Sequence, residues 1–300
     1  MEQHITADRI ANSIMQEEKF EGGVYLLVEG AKDIKVYSRL VSKIVVKIRQ
    51  THGKYKQREV YRILSERGFS SKICVRDADF LRVAGNEKFI QEYAESIFAT
   101  DGHDSEVMIA GSDALTNLLL ITSTDEKVKA FEIKHGCDIR SLVFELAKPI
   151  GYLRYANKKH NLGLSFKPER PEGNKIKFKK FICEKNFNIF SLDAMINTIY
   201  EYSKNRGQDV LSRETILEKL IEVSSLDIPT IELVNGHDVS EILSMVITKG
   251  LQSDSKLIQD QTSVESSLAL AYELRHFQNS NLFMTLKKWS TSNGIDIIQS

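Results

Sequence analysis

Val24-Tyr25-Leu26-Leu27-Val28-Glu29-Gly30, followed by Asp33, is the stretch on which the reading of this chain turns. Five consecutive apolar residues, rich in β-branched and aromatic types, are too few for a typical buried helix and read as a strand covered on both faces. Glu29 then stands on the carboxyl rim of that strand. Gly30 can take the backbone angles of a sharp turn, and residues 31–41 carry apolar side chains at helical spacing. A second run, Ile73-Cys74-Val75-Arg76-Asp77-Ala78-Asp79, repeats the order of strand and then acid. In extended backbone Asp77 and Asp79 would share one side. Carboxylates held that close repel strongly unless a cation lies between them. Ligands of open α/β sheets bind at such strand ends, so Glu29, Asp77 and Asp79 form a candidate rim for a hard metal.

Outward from these two runs, residues 23–123 alternate strand and helix four times. That alternation specifies an α/β fold with a mostly parallel sheet and helices on both faces. A leading helix is predicted over 5–18, the second strand over Ile44–Ile48, and a helix over Glu59–Arg67 closed by Gly68. After residue 125 strands give way to helical patterns at roughly 127–135, 139–156, 191–205, 211–225, 239–250 and 262–279. Trp289, Phe283 and Leu286 fit a closing helix. The reading is therefore a domain over 1–125 and a mainly helical region over 126–300.

Composition bounds the function. Three hundred residues, 42% of them hydrophobic, suffice for one large domain or two ordinary ones with real cores. No apolar run approaches the length that spans a bilayer, and the amino terminus lacks a basic-then-apolar signal layout. Cys74, Cys137 and Cys183 are scattered and odd in number, which favours neither a disulfide framework nor a cysteine zinc site. A reducing cytoplasm suits them. Basic and acidic residues balance at 41 each, yet they are unevenly distributed. From Arg154 to Lys185 cations, among them Lys158, Lys159, Lys177, Lys179 and Lys180, outnumber acids, with Tyr152, Tyr155, Phe166, Phe178 and Phe181 between them. Such a stretch, 152–187 overall, can neutralise phosphates while aromatic faces stack on unpaired bases. The competing reading is an edge strand over 175–179 whose lysines discourage aggregation. Lys54, Lys56 and Arg58 form a smaller basic patch before the second acidic run.

Two segments resemble each other: Asp101-Gly102-His103-Asp104-Ser105-Glu106 and Asn235-Gly236-His237-Asp238-Val239-Ser240-Glu241, each leading into an apolar helix. Helix capping accounts for either alone, and is preferred for the second. The first lies near the acidic rim, so Asp101, Asp104 and Glu106 are candidate second-metal or orienting acids. His103 is a general base or a hydrogen-bonded turn residue.

The pattern strand, Glu29-Gly30, Asp33, strand, Asp77-Ala-Asp79 resembles the Toprim domain of topoisomerases, primases and overcoming-lysogenization-defect nucleases. That resemblance implies Mg²⁺, one or two ions with Mn²⁺ as a substitute, held by Glu29, Asp77 and Asp79. One residue departs from the pattern: Arg82 stands where a glycine commonly follows the pair. Val28–Tyr37, Arg76–Phe80 and Thr100–Glu106, with the Gly-His-Asp of 236–238, look more closely like a Toprim-like family whose best understood members are the AriB subunits of PARIS anti-phage systems. Membership would imply a dimeric nuclease effector directed at tRNA and restrained by an ABC-type ATPase, AriA. Two alternatives stand beside it: a DNA-nicking nuclease of the overcoming-lysogenization-defect type, and a non-catalytic Toprim subunit that regulates the ATPase. The chain is short for a topoisomerase body, and its cysteines supply no primase zinc module.

Overall fold

The structure, a computed structural model, describes residues 5–17, 20, 22–85, 96–168 and 173–299. Thr6 accepts the Arg9 amide at 3.3 Å and opens helix α1 (Ala7–Gln16), whose Ile10, Ala11 and Ile14 turn inward. Strand β1 (Val24–Val28) is buried at every position, as a run apolar on both sides requires. After it come α2 (Ala31–Tyr37), β2 (Val46–Gln50), α3 (Lys54–Glu66), β3 (Lys72–Arg76), β4 (Ile97–Ala99) and α4 (Ser105–Ala110). The strands form one parallel sheet in the order β2-β1-β3-β4. From β1 the chain steps to β2 on one side, then crosses back past β1 to β3. Right-handed crossovers running in opposite directions put α2 and α3 on opposite faces. Tyr25, Leu27 and Cys74 pack with Ile10 and Ile14 of α1 and Val60 and Leu64 of α3. The alternate residues Leu26, Val28, Ile73 and Val75 face the other way and are equally buried.

The second strand begins two residues later than the apolar run Ile44–Ile48 suggests. Val46 N donates to Ser42 O at 2.9 Å, closing a turn that leaves Ile44 85% exposed. As an edge strand β2 is only half buried, so apolarity alone misplaces its start. The helix expected between β3 and β4 falls largely on residues 86–95, outside the described residues.

By contacts the chain divides into two compact units, Met1–Ala114 with Ala269–Ser300, and Leu115–Leu268. The predicted division at 125/126 differs from this at both ends, because the first unit stops at Ala114 and takes up the chain again at Ala269. Residues after 269, including α13 (Leu274–Phe277) and α14 (Asn281–Asn293), belong with the sheet. The reason is a set of polar links that helical periodicity cannot reveal. Asp101 accepts the Asn281 and Leu282 amides at 2.7 and 2.8 Å, Ser42 N donates to Ile297 O, and Gln299 N donates to Leu40 O.

The second unit is mainly helical: α5 (Ala114–Thr122), α6 (Asp125–His135), α7 (Ile139–His160), α8 (Leu192–Lys204), α9 (Arg213–Ser224), α10 (Thr230–Leu233), α11 (Gly236–Met245) and α12 (Gln261–Ala271). Helix α7 is its hub, packed by α9, α10 and α11. Gly151 allows the closest approach, because a Cβ there would lie 2.8 Å from Leu233 O. Helix α11 runs on into one π turn, Val246–Gly250. Among the described residues no helix is long and apolar enough to cross a membrane.

Candidate functional site

Strand order reverses between β1 and β3, and in open parallel sheets that switch point leaves a crevice beyond the strand ends. Glu29 follows β1 and Asp77 follows β3, so both acids stand at its mouth. Pairing between the two strands runs from Tyr25↔Lys72 to Leu27↔Cys74 and then stops. Gln57, buried on α3, fills the parting: its amide donates to Leu27 O at 3.2 Å and Val75 O at 2.8 Å. Thr51 Oγ1 bonds Val28 O beside it. Sequence reading missed Gln57, although its signal was present: an amide at position 57 on the stripe shared with Val60 and Leu64. Gln57→Leu leaves two buried carbonyls without these donors and is expected to cost about 2 kcal/mol of stability. Urea unfolding measures that loss, and an unchanged midpoint would remove Gln57 from the account.

The loop after β3 departs from the extended form assumed above. Asp79 has φ 48°, in the left-handed region, so Asp77 and Asp79 do not point to one side. Asp77 Oδ1 accepts from Ser105 N and Oγ at 3.1 and 3.2 Å, while its own amide donates to Glu29 Oε1 at 3.4 Å. Asp79 instead pairs with Lys54 at 2.8 Å. Burial works against the Lys54 charge, but the charge and hydrogen bond of Asp79 overcome it and raise the lysine pKa. The loop is braced from behind: Ala78 N donates to Thr100 Oγ1, Asp79 N to His103 O, and the Arg82 guanidinium to Thr100 O and Gly102 O at 2.8 and 2.6 Å. Arg82, the residue that departs from the Toprim pattern, thus gives this rim a support of its own.

The remaining acids divide by role. Asp33 accepts the Gly30 amide at 2.8 Å as the capping acid of α2. Burial, and then Glu106, push its carboxyl up to about 6 against the pull of the Gly30 hydrogen bond. Asp104 caps α4 through Val107 N at 2.8 Å, which is the capping role. Glu106 lies 3.7 Å from Lys32. Asp101 accepts the α14 amides on both oxygens and so serves as a cap of that helix. His103 is buried edge-on to Phe80, with Nε2 3.9 Å from Asp79 Oδ1.

Electrostatically the rim is strained. Burial, then Asp104, Glu106, Asp33 and Glu29, hold the Asp77 carboxyl far above the ordinary range. Burial, then Asp79, raise Glu29. The Tyr37 hydroxyl lies fully buried beside Ser105, and burial, then the charges of Asp33 and Asp77, hold its pKa well above the usual phenol range. An all-oxygen set of mutually repelling carboxylates has the donor chemistry for a hard divalent cation. Its spacing is wider than a closed ligand shell: Glu29, Asp77 and Asp79 do not bring three ligand atoms within 4.8 Å of one another.

The basic stretch requires the larger correction. Tyr152, Tyr155, Phe178 and Phe181 are buried and serve as core, not as stacking platforms. Arg154 forks onto Asp238 at 2.6 and 2.7 Å and covers the Phe166 ring, so its guanidinium holds the unit together. Lys159 pairs with Glu222 at 3.0 Å. Residues 175–179 form no strand; they run into a 3₁₀ turn at Phe178–Lys180, with Lys177, Lys179 and Lys180 exposed. Lys158 is exposed and Lys56 half-buried. Arg170 lies outside the described residues. In the second Gly-His-Asp segment Asn235, not Asp238, caps the helix, and His237 Nδ1 meets Glu265 at 2.6 Å.

No family model and no curated protein matches the chain.

Proposed function

We propose that this protein is a Mg²⁺-dependent endonuclease that cleaves RNA, tRNA first among its substrates, as the effector of an anti-phage system. The observation that carries the reading is the meeting of Glu29 and Asp77 at the switch point of a parallel sheet, linked by the Asp77 amide and pressed upward in pKa by surrounding acids. Such a rim repels anions unless it holds a cation, and a phosphodiester is the substrate class that brings oxygens to complete a cation's shell. Glu29 and Asp77 are the ligands, and Asp79 joins them by releasing Lys54. When bound, Mg²⁺ supplies a polarised phosphoryl oxygen and an acidified water. Lys54, on release, gives an ammonium beside the phosphate. Gln57 and Arg82 keep the rim from shifting.

RNA as substrate, an AriA-like ABC-type ATPase as restraining partner and action as a homodimer rest on the resemblance to PARIS effectors, and residence in the cytoplasm rests on the scattered cysteines. Purified protein incubated with total tRNA is expected to yield fragments in Mg²⁺ and none in excess EDTA. Plasmid nicking without RNA cleavage would move the assignment to the DNA-nicking alternative. Two observations favour a non-catalytic regulator instead: the Lys54–Asp79 pair and the wide carboxylate spacing suit a closed, inactive rim. That reading requires Glu29→Ala to retain full biological activity.

A further inference from the structure

Lys54 opens α3 where a cation is least expected. The positive end of a helix dipole favours acids, yet the first turn of α3 holds Lys54 and Lys56 and no acidic residue. Its N-cap, Gly53, supplies no side-chain bond. Helix stability therefore does not account for a lysine here, and the contact that does lies across the rim, where Lys54 Nζ meets Asp79 Oδ2 at 2.8 Å. Both halves of this contact come from unusual backbone. His52 and Gly53 stand at φ 60° and 111° just before the lysine, and Asp79 stands at φ 48°. A side chain is strained at such angles, and strain of this kind collects at working sites. Main-chain bonds fasten both loops, Gly53 N to Glu29 O at 2.9 Å and Asp79 N to His103 O at 2.6 Å. The rim thus fixes both ends of the ion pair.

An ammonium is a compact, strongly hydrated point charge that binds only acceptors, so it offers a carboxylate rim what a metal ion would offer. Burial disfavours the Lys54 charge, but Asp79, and with it Glu29, favours it and prevails. The ammonium therefore already stands in the field of two of the three acids assigned to the metal. A divalent ion on Asp79 would sit beside it, and like charges that close repel strongly. Lys54 also has somewhere to go. Its side chain is 41% exposed, its four-carbon stem is flexible, and the neighbouring Tyr55 is largely in solvent, so a released ammonium enters water. Ion pairs of this exposure contribute little to stability, which suits a contact that is broken during use.

From these observations we infer that Lys54 is a built-in counter-cation: in the metal-free protein its ammonium neutralises the rim through Asp79, and a divalent ion binds there by displacing it. The inference deepens the proposed metal reading and rests on it. It makes the closed rim a resting state of the same site, one whose affinity for metal the lysine holds low until Lys54 is drawn away.

Lys54 is also proposed to meet the phosphate, so cleavage cannot separate its two roles and metal binding is measured instead. Mn²⁺ is titrated into wild type, Lys54→Met and Lys54→Arg, with the free ion read by electron paramagnetic resonance. Methionine keeps an apolar stem without the charge. It is expected to tighten Mn²⁺ binding by about tenfold or more and to lower the unfolding midpoint in EDTA. Arginine, which can still bond Asp79, should bind Mn²⁺ no tighter than the parent. In wild type, acetylation of Lys54 followed by mass spectrometry should speed up several-fold when Mg²⁺ is added, while Lys129, paired with Asp125 on α6, does not respond. Equal or weaker Mn²⁺ binding by Lys54→Met overturns the inference, as does Lys54 labelling that is indifferent to metal; the labelling decides alone if Lys54→Met does not fold. The two readings fail differently. Equal binding by both proteins leaves the metal site standing and removes only the counter-cation, whereas no binding by either removes both.

Discussion

Asp77→Asn is expected to raise the midpoint of thermal unfolding in EDTA while lowering Mg²⁺-dependent RNA cleavage by about a thousandfold, or about 4 kcal/mol of barrier. Asparagine can still accept the hydrogen bonds from Ser105, so the loop keeps its geometry. What disappears is a carboxyl that the fold must either ionise or keep protonated, at a cost, amid Asp104, Glu106, Asp33 and Glu29. Opposite movements of stability and activity mark a site where function is retained against the preference of the fold. The pH dependence follows the same sign. Asp33 titrates near 3.8 when unfolded and at about 6 when folded, so folding tightens its hold on the proton. Its favourable contribution is complete below about 3.8 and is lost as pH rises through about 6. Wild-type protein in EDTA should therefore melt at a higher temperature at pH 5 than at pH 7.5. Mg²⁺ added at pH 7.5 should recover part of the difference in wild type, by about 2.7 kcal/mol at a hundredfold excess over the dissociation constant, and much less in Asp77→Asn. Equal stabilisation of both proteins by Mg²⁺ would remove Asp77 from the metal site.

The second large effect lies in the helical unit. Arg154→Ala is expected to destabilise it by about 3–5 kcal/mol, because the change strands a buried Asp238 without its partner. Side-chain exposures of 12% and 4% for the pair place it well away from the weak surface class. Lysine should not rescue, since it cannot reproduce the two-pronged contact or cover the Phe166 ring. Chemical denaturation followed by circular dichroism reads the loss. A melting curve superimposable on wild type, with RNA binding abolished, would return Arg154 to the nucleic-acid surface where the sequence reading placed it.

The acids of the rim were legible because their neighbours were. An apolar pentad can only be a buried strand at this length, so the residue after it has to sit at a strand end, and Glu29 and Asp77 do. The partners of these acids were not legible. Asp79 was expected beside Asp77, yet a left-handed backbone at Asp79 turns it to Lys54, and no local pattern forecasts that angle for an aspartate. Asp101 and Asp104 carried the same residue type in the same motif. One caps a helix about 180 residues away in sequence, the other caps its own.

The basic stretch shows the same limit from the other side. Alternating lysines and aromatics are equally compatible with a surface that stacks bases and with a core whose cations point outward, because periodicity records only that two faces differ. Packing around α7 buried the rings and matched Arg154 to Asp238.

Strand and helix order, the parallel sheet and the carboxylates at its rim are properties of short windows, decided by side-chain volume and period, and the sequence alone determined them. Which acid meets which cation, that residues 269–300 return to the sheet, and where basic charge remains unneutralised were decided only by tertiary structure. These depend on distances between residues that loops and crossovers bring together, and no local pattern encodes those distances.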